Sequence, residues 1–287
     1  MGIRTILVPL AGDEADATAL AAAGMIAKQH GAHVTAIYAE PDPRDLPMAM
    51  VGDTIGSYLS SGLVKTLENR VEARKVTAEQ SFAEWRRLVD LPLAAGPSAV
   101  EGASVQFHTE IGSDAVLVRT YGLVTDLIVT ALPRPAEVER AIFVESALFE
   151  AGRPVLAVPR SAAPLPPPDA PAVIAWRDAA ETARALTAAL PLLKASRDVV
   201  VIPVKLDSEP AGVGVVLEYL SWHGIRARAV EQCGRASGEA LLAAAGQLDA
   251  GLLVLGAYIH SRARSLVFGG ITRHLLENAK IPVLFAH

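Results

Sequence analysis

The residues best suited to chemistry lie near the carboxyl end, in Gly256-Ala-Tyr-Ile-His-Ser-Arg-Ala-Arg-Ser-Leu-Val-Phe-Gly-Gly-Ile-Thr272. The stretch begins where the apolar run Leu252-Leu-Val-Leu-Gly256 ends and finishes where a helical pattern starts. Gly256 permits a sharp exit from a strand. Gly269 and Gly270 leave the first amides of the following helix unpaired and unobstructed, and such amides, with the helix dipole, attract anions. Thr272 adds a hydroxyl. Between Gly251 and Asn278 the single acid is Glu277, whereas His260, Arg262, Arg264, Arg273 and His274 gather there. This composition suits holding a phosphate. Glycines also flank strands and helices for turn and capping reasons alone.

Other candidates for chemistry are weaker. Seven histidines are scattered without metal-ligand spacing, so no metal is expected. No nucleophile elbow and no Walker loop occurs. Ser261 and Ser265 neighbour His260 in sequence, which does not make a catalytic dyad. Nothing beside Cys233 would lower its pKa. Trp85, Trp176 and Trp222 are expected to be packing anchors.

These residues need a frame, and the chain repeats one. Ile6-Leu-Val-Pro-Leu10 precedes a polar turn and an Ala-rich helix from about 13 to 30. Ala172-Val-Ile-Ala-Trp176 precedes Arg177-Asp178 and a helix to about 196. The halves also end alike, with Arg153-Pro-Val-Leu-Ala-Val-Pro159 and Ile281-Pro-Val-Leu-Phe-Ala286. Short apolar strands without polar alternation, separated by helices, imply parallel sheets covered on both faces. Ligands of such sheets bind in the crevice at the carboxyl ends of the strands. The expected organisation is a first domain at 1–160 with a helical insertion at about 41–100, a Pro-rich linker at 161–171, and a second domain at 172–287. In the insertion, the mixed charges of a helix at about 57–89 (Lys65, Glu68, Arg70, Glu72, Arg74, Lys75) mark a solvated face.

Composition narrows the classes. Of 287 residues, 51% are hydrophobic and 20% charged, which excludes a disordered or fibrous chain. No apolar run approaches the ~20 residues of a membrane span. The opening apolar stretch is too short for a secretory signal. A single cysteine suits a reducing cytoplasm. The net charge of −5 argues against general nucleic-acid binding. It is unevenly shared: residues 1–163 hold 14 basic and 20 acidic residues, net −6, and residues 164–287 hold 12 and 11, net +1. The first-half counterpart of the glycine stretch, from Ala131 to Ile142, carries Pro133, Pro135, Glu137 and Glu139 and no glycine. Only the second half is suited to an anion.

The duplicated pattern resembles a tandem universal stress protein. The resemblance rests on Ile6-Leu-Val-Pro-Leu10, Asp126-Leu-Ile-Val129, Arg153-Pro-Val-Leu-Ala-Val-Pro159, Leu252-Leu-Val-Leu-Gly256 and Phe268-Gly-Gly-Ile-Thr272. It implies two doubly wound α/β domains, each with a five-stranded parallel sheet of order 3-2-1-4-5, forming an intramolecular pseudo-dimer. It implies a stress-response protein that acts by binding or through protein interfaces, with an unidentified protein partner and scope for a homodimer. Some members bind ATP through a Gly-x2-Gly-x9-Gly-Ser/Thr loop. Here Gly256 and Gly269 match the first and third glycines, while Ile259 and Gly270 depart from the pattern. The aspartate that commonly follows the first strand is Ala11 in one half and Arg177 in the other, and neither can accept as a carboxylate does. The resemblance thus implies a non-catalytic protein with degenerate pockets. The alternative is an adenine-nucleotide binder using Gly256, Arg262, Gly269, Gly270 and Thr272 of the second domain alone. A weak ATP hydrolase ranks behind both.

Overall fold

The computed structural model describes residues 2–42, 61–96, 101–134, 137–160, 165–204, 212–230, 237–257 and 268–287. In the first half, strand β1 (Thr5–Leu10) leads to helix α1 (Asp16–His30), strand β2 (His33–Glu40) and the long helix α2 (Ser61–Val89). Strand β3 (Ser104–Ile111), helix α3 (Asp114–Gly122), strand β4 (Leu127–Ala131), helix α4 (Val138–Glu145), a π-helical turn (Ser146–Glu150) and strand β5 (Val155–Val158) follow. The second half repeats the alternation with β6 (Ala172–Trp176), α5 (Ala180–Leu193), β7 (Val199–Pro203), α6 (Val213–Trp222) and β8 (Ala227–Ala229). It closes with α7 (Gly238–Gln247), β9 (Leu252–Gly256), α8 (Gly270–Asn278) and β10 (Val283–Ala286).

The strands form one ten-stranded sheet in the order β3-β2-β1-β4-β5-β10-β9-β6-β7-β8. Each run of five has the expected order 3-2-1-4-5. Neighbours within each run are parallel, and β5 meets β10 antiparallel, with Leu156 opposite Leu284. The two runs join through their last strands into one continuous sheet.

Burial on both faces explains the unbroken apolar runs. Ile6 and Val8 point into one core layer and Leu7 into the other. Each layer is continuous across the halves. One joins Leu20 and Leu156 to Leu190 and Leu284, and the other joins Ile128 and Phe143 to Leu253 and Phe285. Helix α1 is Ala-rich, with Ala19, Ala23 and Ala27 fully buried, so it lies close to the sheet. Gly31 ends it in the left-handed region at φ 63°, which glycine adopts without Cβ strain.

Helix α2 is bound to the rest through a narrow face. Ala78, Phe82 and Trp85 are buried, and Lys65, Glu68, Arg70 and Glu72 are exposed. A Cβ at Gly24 of α1 would lie 2.9 Å from the Trp85 ring, so the missing side chain is what lets α2 settle there. Trp85 is a packing anchor as expected. Trp222 is not: it is 83% exposed at the end of α6, because its helix turns Val216 and Leu220 inward instead.

The linker is fixed where it is described. Ala170 N–H closes a turn on the Pro167 carbonyl at 2.9 Å. Gly251 N–H reaches the Pro171 carbonyl at 2.8 Å, and Arg197 N–H the Asp169 carbonyl at 2.9 Å.

Candidate functional site

Strands β9 and β6 pair side by side, so their carboxyl ends lie together. Gly256 ends β9 beside Ala286, and Ala257 N–H donates to the Ala286 carbonyl at 2.7 Å. A Cβ on Gly256 would stand 2.6 Å from the Thr182 amide nitrogen and 2.8 Å from the Glu181 carbonyl carbon. The first turn of α5 therefore crosses directly over this residue. That backbone contact requires the glycine, whatever part it plays in leaving the strand.

The far end of the loop is set by α8. Gly269 is its N-cap, with no side-chain cap, and its carbonyl accepts from Arg273 N–H at 3.0 Å. No acid lies in the first turn of α8. Among the described residues, no heavy atom lies within 4 Å of where a Cβ on Gly270 would stand. Thr272 is 2% exposed and belongs to the buried face of α8 rather than the open one. His274 packs beneath Gly238 at the start of α7, and Arg273 pairs with Glu277 one turn on at 2.9 Å. Arg262, together with Ile259, His260 and Arg264, lies outside the described residues, as does Cys233.

Both ends of this loop are anchored at the seam between the halves. The Phe268 ring packs on Phe149 of the π-helical turn, 5.5 Å between centroids. His287 stands edge-on to Phe149 at 5.0 Å, and its Nδ1 is 3.0 Å from the Ala257 carbonyl. The first half thus supplies part of the frame that carries the second-half loop.

The first half fills the matching position with its own side chains. The Asp16 carboxylate, fully buried at the start of α1, accepts from the amides of Ala11 at 3.0 Å, Gly12 at 2.8 Å and Asp13 at 3.3 Å. Arg140 of α4 is also fully buried. Its Nη2 donates to Asp16 Oδ1 at 2.7 Å and to the Asp13 carboxylate. Arg160, beyond β5, bridges Asp13 at 3.0 Å and Glu137 at 2.8 Å. Helix α2 covers the loop from another side: Gly12, at φ 71°, has the Arg74 carbonyl oxygen 2.3 Å from where a Cβ would stand.

The physical sense is an internal anion in an anion cradle. Loop amides, groups of the kind that hold a phosphate, hold a carboxylate of the same chain. Burying charges is costly unless they are paired and hydrogen-bonded. The carboxylates are paired, but the guanidinium is not fully hydrogen-bonded: Arg140 Nε sits 3.5 Å from Glu137 Oε1, and among the described residues neither Nε nor Nη1 has a hydrogen-bond partner. Burial pushes the Asp13 carboxyl up, but Arg140, the Ala15 amide and Arg160 outweigh it and hold Asp13 well below the usual carboxylate range. For Asp16 the burial is deeper and pushes the carboxyl up against the pull of Arg140 and the Ala11 amide. Although burial opposes its charge, Arg140 stays protonated because Asp16 and Asp13 face it.

Sequence reading did not single out Asp16, Arg140 or Arg160. Glu137 was legible as a group hostile to phosphate, and the structure gives it a use: it accepts from the Arg134 amide at 2.8 Å and pairs with Arg160. Among the described residues no cluster of His, Cys, Asp and Glu could hold a metal ion, and no helix is long and apolar enough to cross a membrane.

Fold and site together define a doubly wound α/β protein with one self-filled crevice and one glycine-flanked loop. Residues 156–287 match the universal stress protein family. Over its whole length the chain has the fold of a universal stress protein from Archaeoglobus fulgidus, with a TM-score of 0.67, 16% identity, and 98% of this chain and 97% of that chain covered. A protein of unknown function from Pseudomonas aeruginosa PAO1 is also similar, with a TM-score of 0.54, 14% identity, and 99% and 92% covered. A search of the curated proteins finds no match.

Proposed function

We propose that the whole chain is a duplicated universal stress protein whose halves pair internally through β5 and β10, and that it acts in a stress response by binding rather than by catalysis. In this reading its place of work is the cytoplasm and its partner is a protein. The first half is the closed member of the pair. The observation that carries this reading is the Asp16 carboxylate in the amide cradle after β1, locked by Arg140.

A second reading is favoured by α8. Its start has no side-chain cap and no acid in the first turn, and no described atom crowds Gly270, whereas α1 carries Asp16 in its first turn. An adenine nucleotide would then bind in the second half only, with Gly269 and Gly270 at its phosphates and Gly256, Arg262 and Thr272 around the loop.

Thermal melting with ATP and magnesium separates the two. A ligand at 100 times its dissociation constant stabilises by about 2.7 kcal/mol. A saturable shift that disappears in Gly270→Val supports nucleotide binding by the second half. No shift at millimolar nucleotide leaves the protein-interface reading and overturns the nucleotide one. Phosphate release above the Gly270→Val background would overturn the non-catalytic assignment.

A further inference from the structure

We propose that the seam between the halves holds a second binding site, an apolar pocket open to solvent on one side, for a short alkyl chain. It is separate from the glycine loop and does not depend on nucleotide binding. The cavity measures about 70 Å³ and lies beneath the described end of the linker. Met25 and Val158 line it from the first half, Leu192 and Leu252 from the second, and Leu165 and Pro166 form its roof.

The lining selects the ligand. Among the described residues it contains no charged side chain, and its polar side chains are Gln29 and Ser196. An unpaired ion pays a large desolvation penalty in such a place. Gln29 is exposed and Ser196 half-buried, so their hydrogen bonds are offered at the rim, where a hydroxyl or amide on the end of an alkyl group would sit. Water needs two to four polar partners to be held, and apolar walls do not supply them. The sheltered part is small, about 70 Å³, and the rest opens to solvent, so a short alkyl chain enters while its polar end stays outside.

The pocket is preformed because its roof is pinned. A Cβ at Gly251 would lie 2.5 Å from Ala170 Cβ and 2.7 Å from Pro166 Cβ, so the glycine lets the linker seat against the second half. The Pro167–Ala170 turn and the bonds from Arg197 and Gly251 then hold Pro166 to Pro168 above the cavity. Proline's fixed φ limits collapse of that roof. Walls from both halves mean that an occupant would touch both sides of the seam at once.

Met25 supplies its own reporter. The full chain, labelled with ¹³C-methyl methionine, is titrated first with xenon under pressure and then with 1-butanol. The expected result is a saturable shift of the Met25 methyl resonance with both probes. Sodium butyrate should bind at least tenfold more weakly than butanol. Ala22→Leu, which fills the cavity from α1, should abolish the saturable shift. Ser196→Leu, which narrows it from the rim, does the same test should Ala22→Leu fail to fold. A Met25 resonance that moves without saturating, or that saturates equally in a folded filled variant, overturns the site. Butyrate binding as tightly as butanol overturns its selectivity.

Discussion

Replacing Arg140 by Met should destabilise the protein by about 3–5 kcal/mol, the usual loss when one partner of a buried ion pair is removed. The estimate follows from the geometry. Arg140 and Asp16 are both fully buried, their contact is 2.7 Å, and Arg140 also donates to Asp13. Methionine fills much of the space but leaves Asp16 facing an apolar group, with the amides of Ala11 and Gly12 as its main compensation. Urea unfolding at pH 7, followed by circular dichroism, reads the loss. With an m-value of about 3 kcal/mol/M, the midpoint should fall by roughly 1–1.7 M. The pair Asp16→Asn and Arg140→Met closes the argument, because contacting residues couple by about 0.5–3 kcal/mol. The double variant should therefore lose less than the two single losses together. A single Arg140→Met variant within 0.5 kcal/mol of the parent, or strictly additive losses, would refute the view that this pair holds the first crevice shut.

Further outcomes follow from other contacts. Asp13 has its folded pKa depressed below an ordinary value of 3.8, so its stabilisation is complete above that pH and is lost as the pH falls below it towards the folded value. Acid titration of the parent against Asp13→Asn should show the two stability curves converging below about pH 4. Gly256→Ala should destabilise by about 1–3 kcal/mol, since its Cβ meets backbone atoms of α5 that cannot swing away. Gly270→Ala should be nearly neutral to melting, because its Cβ meets no atom of the described residues within 4 Å. Trp222→Ser should change stability by less than about 0.5 kcal/mol, and Trp85→Ala should lower it by about 3–5 kcal/mol. Acrylamide quenching should remove the Trp222 share of the fluorescence first.

The sheet was legible because parallel strands buried on both faces leave unbroken apolar runs, and Ile6–Leu10, Ala172–Trp176 and Leu252–Gly256 each stand within a residue of the observed strand. The start of α8 was legible from Gly269 and Gly270. The ion-pair lock was not. Asp16 and Arg140 are 124 residues apart, and Asp13 and Arg160 are 147 apart, so no local spacing joins them. Their contact exists only because the strand order sets β1 beside β4 and brings α4 over the start of α1. Gly256 was read for a turn, whereas the constraint on it comes from α5, some seventy residues earlier in the chain. Trp222 was misjudged because residue type alone does not say which side of a helix turns outward.

The antiparallel contact of β5 with β10 has a consequence for assembly. A sheet strand with a bare edge is a template for another chain. Here the two strands that would offer such an edge satisfy one another, so the ten strands leave only β3 and β8 outermost. A second copy that extended the sheet would do so at an outer rim, where β8 is three residues long and carries the Arg228–Asp198 pair. The β5–β10 pairing has spent the valence that a single half would offer to another chain. Either half expressed alone would regain that valence and should seek a partner strand.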